Sequence, residues 1–213
     1  MIYTHIPYAP KAKQFNIGWA YNNFIKKLEL DDWACFIDHD AMFTTIDWYQ
    51  QLETIIKKYP ETGCFAAMTN RLGNPNQVVD YKCNLEGLSK EEQKTRHRAY
   101  LSMHHHNHDI LYHRKIGAEL QRKHALSVVS MDKSNLLSGV LLLVSKKVWQ
   151  RIKFKDGFFG VDNDFHLQCL ENGIKVYLMK GVYVYHWYRG NQNDDHVFQI
   201  MKYQREVRGE NNS

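Results

Sequence analysis

Apolar and polar positions along the chain fall into short buried runs separated by helical stripes. "IYTHIP" at 2–7 alternates like a strand and is closed by Pro7 and Pro10. Ile17, Tyr21, Phe24 and Leu28 then recur at helical spacing behind Asn16, a good cap, and Asp31-Asp32 end that helix. Ala34 to Ile37 is a buried strand. Trp48, Leu52, Ile55 and Ile56 share one face of a second helix, with Thr44 or Thr45 as its cap and Pro60 beyond its end. "CFAAMT" at 64–69 is a third strand, followed by the turn-rich "NRLGNPNQ". Strand, helix, strand, helix, strand predicts an α/β fold, doubly wound, with a mostly parallel sheet flanked by helices.

The pattern changes from about Asn84 to His124, which is polar, charged and histidine-rich, with helix expected from Lys90 onward. This stretch reads as a helical insertion, about 84–130, covering the sheet. "LLSGVLLLVS" at 136–145 restores a buried strand, and a short helix follows at 146–151. A loop, a helix from Asn163 to Glu171 and a stop at Gly173 come next. Strands at 174–179 and 182–186 complete one compact domain over 1–190, and 191–213 is expected to be a loosely held tail.

Composition narrows this picture only a little. A chain of 213 residues, 44% hydrophobic and 13% aromatic, can bury one sizeable core without covalent staples. Cys35, Cys64, Cys83 and Cys169 show no C-x-x-C spacing, which predicts free thiols in a reducing compartment. Met1-Ile2-Tyr3-Thr4 leads straight into a strand, and no run of about 18 apolar residues occurs, so neither a signal sequence nor a membrane span is expected. These readings predict a cytoplasmic protein, with peripheral membrane contact compatible. The net charge of +5 is dispersed, which suits anionic ligands and speaks against nucleic acid as a partner.

The chemistry concentrates in acid pairs. Asp38 and Asp40 close the buried strand at 34–37, and ligands of open α/β sheets bind beyond the carboxyl ends of strands. Two carboxylates spaced by one residue on an extended chain leave on one face and suit a hard cation, Mg²⁺ or Mn²⁺. The plainer alternative is a polar turn leading into a helix. Asp162 and Asp164 open the helix after "GFFG". Asp162 is either a helix cap or a base able to take a proton from a hydroxyl, and Asp164 complements the helix dipole. His186, ending the last strand, offers an imidazole to the same ion, and Arg189 a charge for phosphate. Trp187 and Tyr188 follow it, and one of them is placed to stack on a sugar or base. Trp19, Trp33, Trp48 and Trp149 fit apolar faces and read as core. "MHHHNHDILYH" at 103–113 would put His104 and His108 on one helix face and His105 beside Asp109. Its spacing matches no closed metal site, so a solvated loop or an acceptor-facing lid is the expectation.

In this order, "N-x-G-x-A-x-N" at 16–22, "FIDHD" at 36–40, "SGVLLLVSKKVW" at 138–149 and "GFFGVDNDF" at 157–165 resemble GT-A glycosyltransferases of family 2, with a galactosyltransferase-like ending. The likeness covers 1–80 and 135–189. It implies a Rossmann-like GT-A fold and a metal-dependent, inverting transfer of sugar from a nucleotide-diphosphate donor, a UDP-sugar being favoured, to a hydroxyl on a glycan or lipid-linked acceptor. Cell-surface polysaccharide assembly follows from the family alone. The resemblance makes Asp38 and Asp40 the D-x-D motif, with His186 the third ligand of Mn²⁺ or Mg²⁺. It makes Asp162 the base and Asp164 the acceptor contact, and places Asn16, Asn22 and Gly139 along the nucleotide site. Two departures stand out: Val161 occupies a position usually held by glutamate, and the strand that often carries a uracil-reading acid is missing. A metal-dependent phosphoesterase and a nucleotide- or glycan-binding module without catalysis are the competing readings.

Overall fold

A computed structural model of the chain describes residues 1–10, 13, 15–82, 100–104 and 107–187. Cys83, residues 90–99 of the stretch expected to be helical, His105, Tyr188, Arg189 and the tail at 191–213 lie outside the described residues; of the rest of that stretch, Tyr100–Ser102 is a strand instead and Ile110–His124 is a helix. The chain runs through β1 (Ile2–His5), α1 (Ile17–Ile25), β2 (Trp33–Ile37), β3 (Ala41–Phe43), α2 (Trp48–Lys58) and β4 (Thr62–Thr69). It continues through β5 (Arg71–Leu72), β6 (Tyr81–Lys82), β7 (Tyr100–Ser102), α3 (Ile110–His124) and β8 (Val128–Ser130). The last elements are β9 (Leu141–Ser145), α4 (Lys146–Arg151), α5 (Val161–Glu171) and β10 (Lys175–His186).

Seven strands form one sheet in the order β1-β2-β9-β4-β10-β3, with β8 also paired to β10. It is mixed, not mostly parallel. β1 with β2 and β4 with β10 pair parallel, whereas β9 runs antiparallel between β2 and β4, and β3 and β8 are antiparallel to β10. An apolar run looks the same in either direction, so the hydrophobic pattern found the β9 strand and could not orient it. β5, β6 and β7 form a separate three-stranded sheet.

Both faces of the main sheet are covered, and period-two alternation sorts the core into two layers. Ala34 and Phe36, Cys64 and Ala66, and Leu142 and Val144 face α1 and α5. Cys35 and Ile37, Phe65 and Ala67, and Leu141 and Leu143 face Leu52 and Ile55 of α2. Cys35, Cys64 and Cys169 are buried free thiols in these layers. Trp149 is buried, and Trp19, Trp33 and Trp48 are half-buried. The segment expected to lie over the sheet also builds it, since β8 pairs with β10 and Ile116 of α3 enters the core. Among the described residues no helix is long and apolar enough to cross a membrane.

Local signals explain most boundaries. Asn16 caps α1 by accepting from the Trp19 amide at 2.7 Å. Gly173, at φ +66°, ends α5 in the left-handed conformation that glycine adopts without strain. Two caps differ from expectation. Asp47, not Thr44 or Thr45, precedes α2, because the buried Thr44 hydroxyl donates to the Tyr183 carbonyl at 2.9 Å. Gly160 in a left-handed conformation, not Asp162, precedes α5, so Asp162 and Asp164 sit in its first turn.

The two strands expected at 174–179 and 182–186 are one strand, β10, interrupted by a bulge between Met179 and Tyr183. There the partner β4 advances one residue, Ala67 to Met68, while β10 advances four. The odd difference swaps faces. Val176 and Leu178 belong to the α1 and α5 side, but beyond the bulge Tyr183 does, while Val182 and Val184 turn to the other. Gly181 makes this possible, because a Cβ there would lie 2.0 Å from the Ala125 carbonyl oxygen.

Candidate metal centre

β2, β4 and β10 point the same way, so Asp38, Asn70 and His186 all arrive at one edge of the sheet. β2 and β3 are adjacent in the chain, yet β9, β4 and β10 lie between them in the sheet. Residues 38–40 therefore cross the carboxyl edge from β2 toward β10. The Asp38 amide donates to the Val140 carbonyl at 3.1 Å, and the Ala41 amide closes a turn onto the Asp38 carbonyl at 3.1 Å. The two acids converge through this turn and not through extended alternation. Pairing of Ala41 with His186 then brings Asp40 against the imidazole.

The His186 Nε2 lies 3.3 Å from Asp40 Oδ1 and 3.8 Å from Asp38 Oδ2. One ligand atom from each of the three residues falls within 4.8 Å of the others, a spacing that a single ion can bridge. The other ring nitrogen fixes the chemistry. Nδ1 is 2.9 Å from the Arg71 carbonyl, which can only accept, so Nδ1 carries the proton. In the neutral ring the Nε2 lone pair then faces two carboxylates. Three acceptors aimed at one point repel unless a proton or a cation lies between them, and an imidazole tethered through its far nitrogen to a carbonyl is the usual support of a metal-bound histidine. Two hard oxygens and one imidazole fit Mn²⁺ or Mg²⁺, with coordination positions left for water or phosphate.

Asn70 holds this arrangement from behind. Its Oδ1 accepts from the His186 amide at 2.8 Å and its Nδ2 donates to the His186 carbonyl at 3.0 Å, with the side chain buried. Sequence reading missed Asn70, which carries no motif and sits 116 positions from its partner. About a third of the Asp38 side-chain surface meets solvent, 36%, but protein atoms crowd the carboxyl on its remaining sides. That desolvation pushes its pKa up to about 6; His186 and His39 oppose the rise, while Asp40 and Asp162 add to it.

Asp162 raises the proton affinity of Asp38 through space, so the structure brings this one member of the second acid pair toward the first. Burial raises the Asp162 carboxyl above the usual range, against backbone hydrogen bonds from Asn163, its own amide and Gly139, and Asp164 pushes the same way as burial. Gly139 lies against Asp162: a Cβ there would come within 3.2 Å of Asp162 Oδ2. Asp164 is half-buried one turn from the Gly160 carbonyl, which accepts from its amide at 2.8 Å. Val161, where a glutamate was the family expectation, is buried in the core beside Phe154 and Phe165. Tyr21 is a further residue, which sequence reading placed only on the apolar stripe of the first helix. Its phenol is held well above its usual pKa by burial and then by Asp38 and Asp162, so it stays a neutral hydroxyl near both acids.

Asn16 and Asn22 are engaged inside the protein. Asn16 Oδ1 accepts from Trp19 and also from the Gly157 amide at 3.1 Å. Asn22 Oδ1 accepts from the Trp149 indole at 2.8 Å and the Phe154 amide at 3.1 Å, while its Nδ2 donates to the Phe154 carbonyl at 2.8 Å. These bonds fill the Asn22 oxygen, so a nucleotide contact that replaced none of them would have to use the second Nδ2 hydrogen. The histidine-rich stretch, expected as a solvated loop or an acceptor-facing lid, is non-helical up to Asp109 among its described residues. α3 begins only at Ile110, with Asp109 as its cap, so His104 and His108 do not share a helix face. His104 lies 2.6 Å from the Tyr112 hydroxyl and 3.1 Å from Asp80, and His108 lies 2.6 Å from the Tyr185 hydroxyl. His113, fully buried, meets the Tyr183 hydroxyl at 2.8 Å and the Asn107 carbonyl at 2.6 Å.

Fold and site together define an α/β protein with a candidate divalent-cation centre at the carboxyl edge of its sheet. Compared with known proteins, the chain matches no family model, and no curated protein shows significant similarity to it.

Proposed function

We propose that the chain is a small GT-A glycosyltransferase that moves a sugar from a nucleotide diphosphate to a hydroxyl acceptor with inversion. One observation carries this reading: the His186 lone pair and the Asp38 and Asp40 carboxylates converge at the ligand-binding edge of an α/β sheet. Asp38, Asp40 and His186 would hold Mn²⁺ or Mg²⁺. Bound there, the ion supplies charge neutralisation for a departing diphosphate. Arg71 and Asn70 hold the imidazole so that Nε2 keeps its orientation. Asp162 takes the proton of the attacking hydroxyl, and burial raises its proton affinity, which suits a base. Asp164, in the same helical turn, meets the acceptor, and Gly139 leaves room for Asp162.

Thermal shift with UDP, GDP, CDP and dTDP, each with Mn²⁺, Mg²⁺ or EDTA, tests this directly. One diphosphate is expected to raise the melting midpoint only when metal is present, and Asp40→Ala to abolish the rise. No shift with any pair would refute the reading. A metal-dependent shift without transfer to any hydroxyl acceptor would instead favour a binding module.

A further inference from the structure

Trp187 directly follows His186, and its amide donates to the Asp40 carbonyl at 2.9 Å. The residue is 52% exposed. Single exposed aromatics are ordinary on protein surfaces. This one is distinguished by what stands behind it. His108 stacks on the indole with centroids 5.1 Å apart and planes 17° apart. The His108 Nδ1 is held by the Tyr185 hydroxyl at 2.6 Å, and the Tyr185 ring packs on His113 at 4.1 Å. His113 is in turn buried and fixed by Tyr183 and the Asn107 carbonyl. An exposed indole braced in this way gives up little further freedom on binding, which is the condition for a preorganised contact.

Position selects the ligand. A pyranose presents an apolar C–H face with a polar rim, which suits a flat indole with one side open. Trp187 is the chain neighbour of a ligand expected at the diphosphate, where the transferred sugar and the attacking sugar meet; the base is a ribose further away. We propose that Trp187, braced by His108, is the stacking platform for a pyranose ring at the reacting end of the site. This deepens the glycosyltransferase reading and rests on it for the identity of the ring.

Saturation-transfer NMR on the full chain tests the platform. The probes are methyl glycosides of glucose, galactose and N-acetylglucosamine, and UDP-glucose and UDP-galactose with Mn²⁺. At least one hexose should receive saturation on its ring C–H protons. Trp187→Ala should weaken that binding by about threefold to tenfold, the range of an aromatic stacking contact. Trp187→Phe should restore most of it, and His108→Ala should weaken it part of the way. A signal from a methyl glycoside without nucleotide identifies the acceptor ring, whereas a signal confined to the hexose of a UDP-sugar identifies the donor ring. Absence of hexose signal from every probe, or an unchanged signal in Trp187→Ala, overturns the proposal. If Trp187→Ala does not fold, the contrast between Trp187→Phe and Trp187→Leu decides in its place. Thermal shift with nucleotide and Mn²⁺ on the same samples separates the two ideas. A lost sugar signal with a retained nucleotide shift supports the platform, an unaltered sugar signal with that shift refutes the platform alone, and a Trp187-dependent sugar signal without any nucleotide shift refutes the transferase alone.

Discussion

Two histidine neighbourhoods meet on the last strand, and they differ in what surrounds the rings. His186 faces two carboxylates, with its far nitrogen tied to a carbonyl. His104, His108 and His113 each face a tyrosine hydroxyl, with the single Asp80 carboxylate 3.1 Å from the second nitrogen of His104 and the Asn107 carbonyl on the second nitrogen of His113. A hydroxyl can donate or accept as required, so a histidine–tyrosine pair is complete without an ion. Among the described residues, the single histidine among acids is therefore the better metal candidate than the histidine-rich tract. The partners decide, not the density.

The largest expected effect tests the closed pair. His113→Ala removes a buried ring and strands both the Tyr183 hydroxyl and the Asn107 carbonyl, and should cost about 3 kcal/mol of folding stability. Urea unfolding measures it, and a cost below about 1 kcal/mol would mean that these bonds do not anchor α3 to β10. The Mn²⁺-dependent shift should survive this substitution. His186→Gln reverses the outcome. It should weaken Mn²⁺ binding by about a hundredfold, measured by calorimetry, while the melting midpoint in EDTA moves much less than in His113→Ala. If the two variants behaved alike, the distinction between structural and ligating histidines would collapse.

The smallest expected effect is a pH dependence. Asp38 titrates near 6 in the folded chain, against an ordinary 3.8, so the folded state holds this proton more tightly than the unfolded one. The resulting stabilisation is fully present below about 3.8 and is lost as pH rises through about 6. In EDTA, the midpoint of the wild type relative to Asp38→Asn should therefore fall between about pH 4 and pH 7. Metal competes for the same carboxylate, so Mn²⁺ affinity should run the other way and weaken as pH drops below about 6. A flat midpoint difference across that window would show that burial does not govern Asp38.

Sequence reading went furthest where the signal was local. The 34–37 run, the cap at Asn16, the helix at 146–151 and the glycine stop at 173 depend on neighbours within one turn or one strand. It stopped short where long-range pairing intervened. Thr44 is a sound cap by type, yet its hydroxyl serves a carbonyl 139 positions away, and Asn70 is ordinary until its two bonds to His186 are drawn. The direction of β9 depends on strands β2 and β4 on either side of it.

The sequence by itself determined that a buried strand delivers Asp38 and Asp40 to the edge of an α/β sheet, because hydrophobic runs and the acids that end them are written in consecutive residues. Only the tertiary structure decided that His186 meets them. Alternation counted from Val176 would put the even positions of β10 toward α1 and α5, and the bulge after Met179 moves them to the other side. Strand pairing places that bulge, with Gly181 yielding to the Ala125 backbone, and such pairing is fixed by packing across the sheet, which no local period encodes.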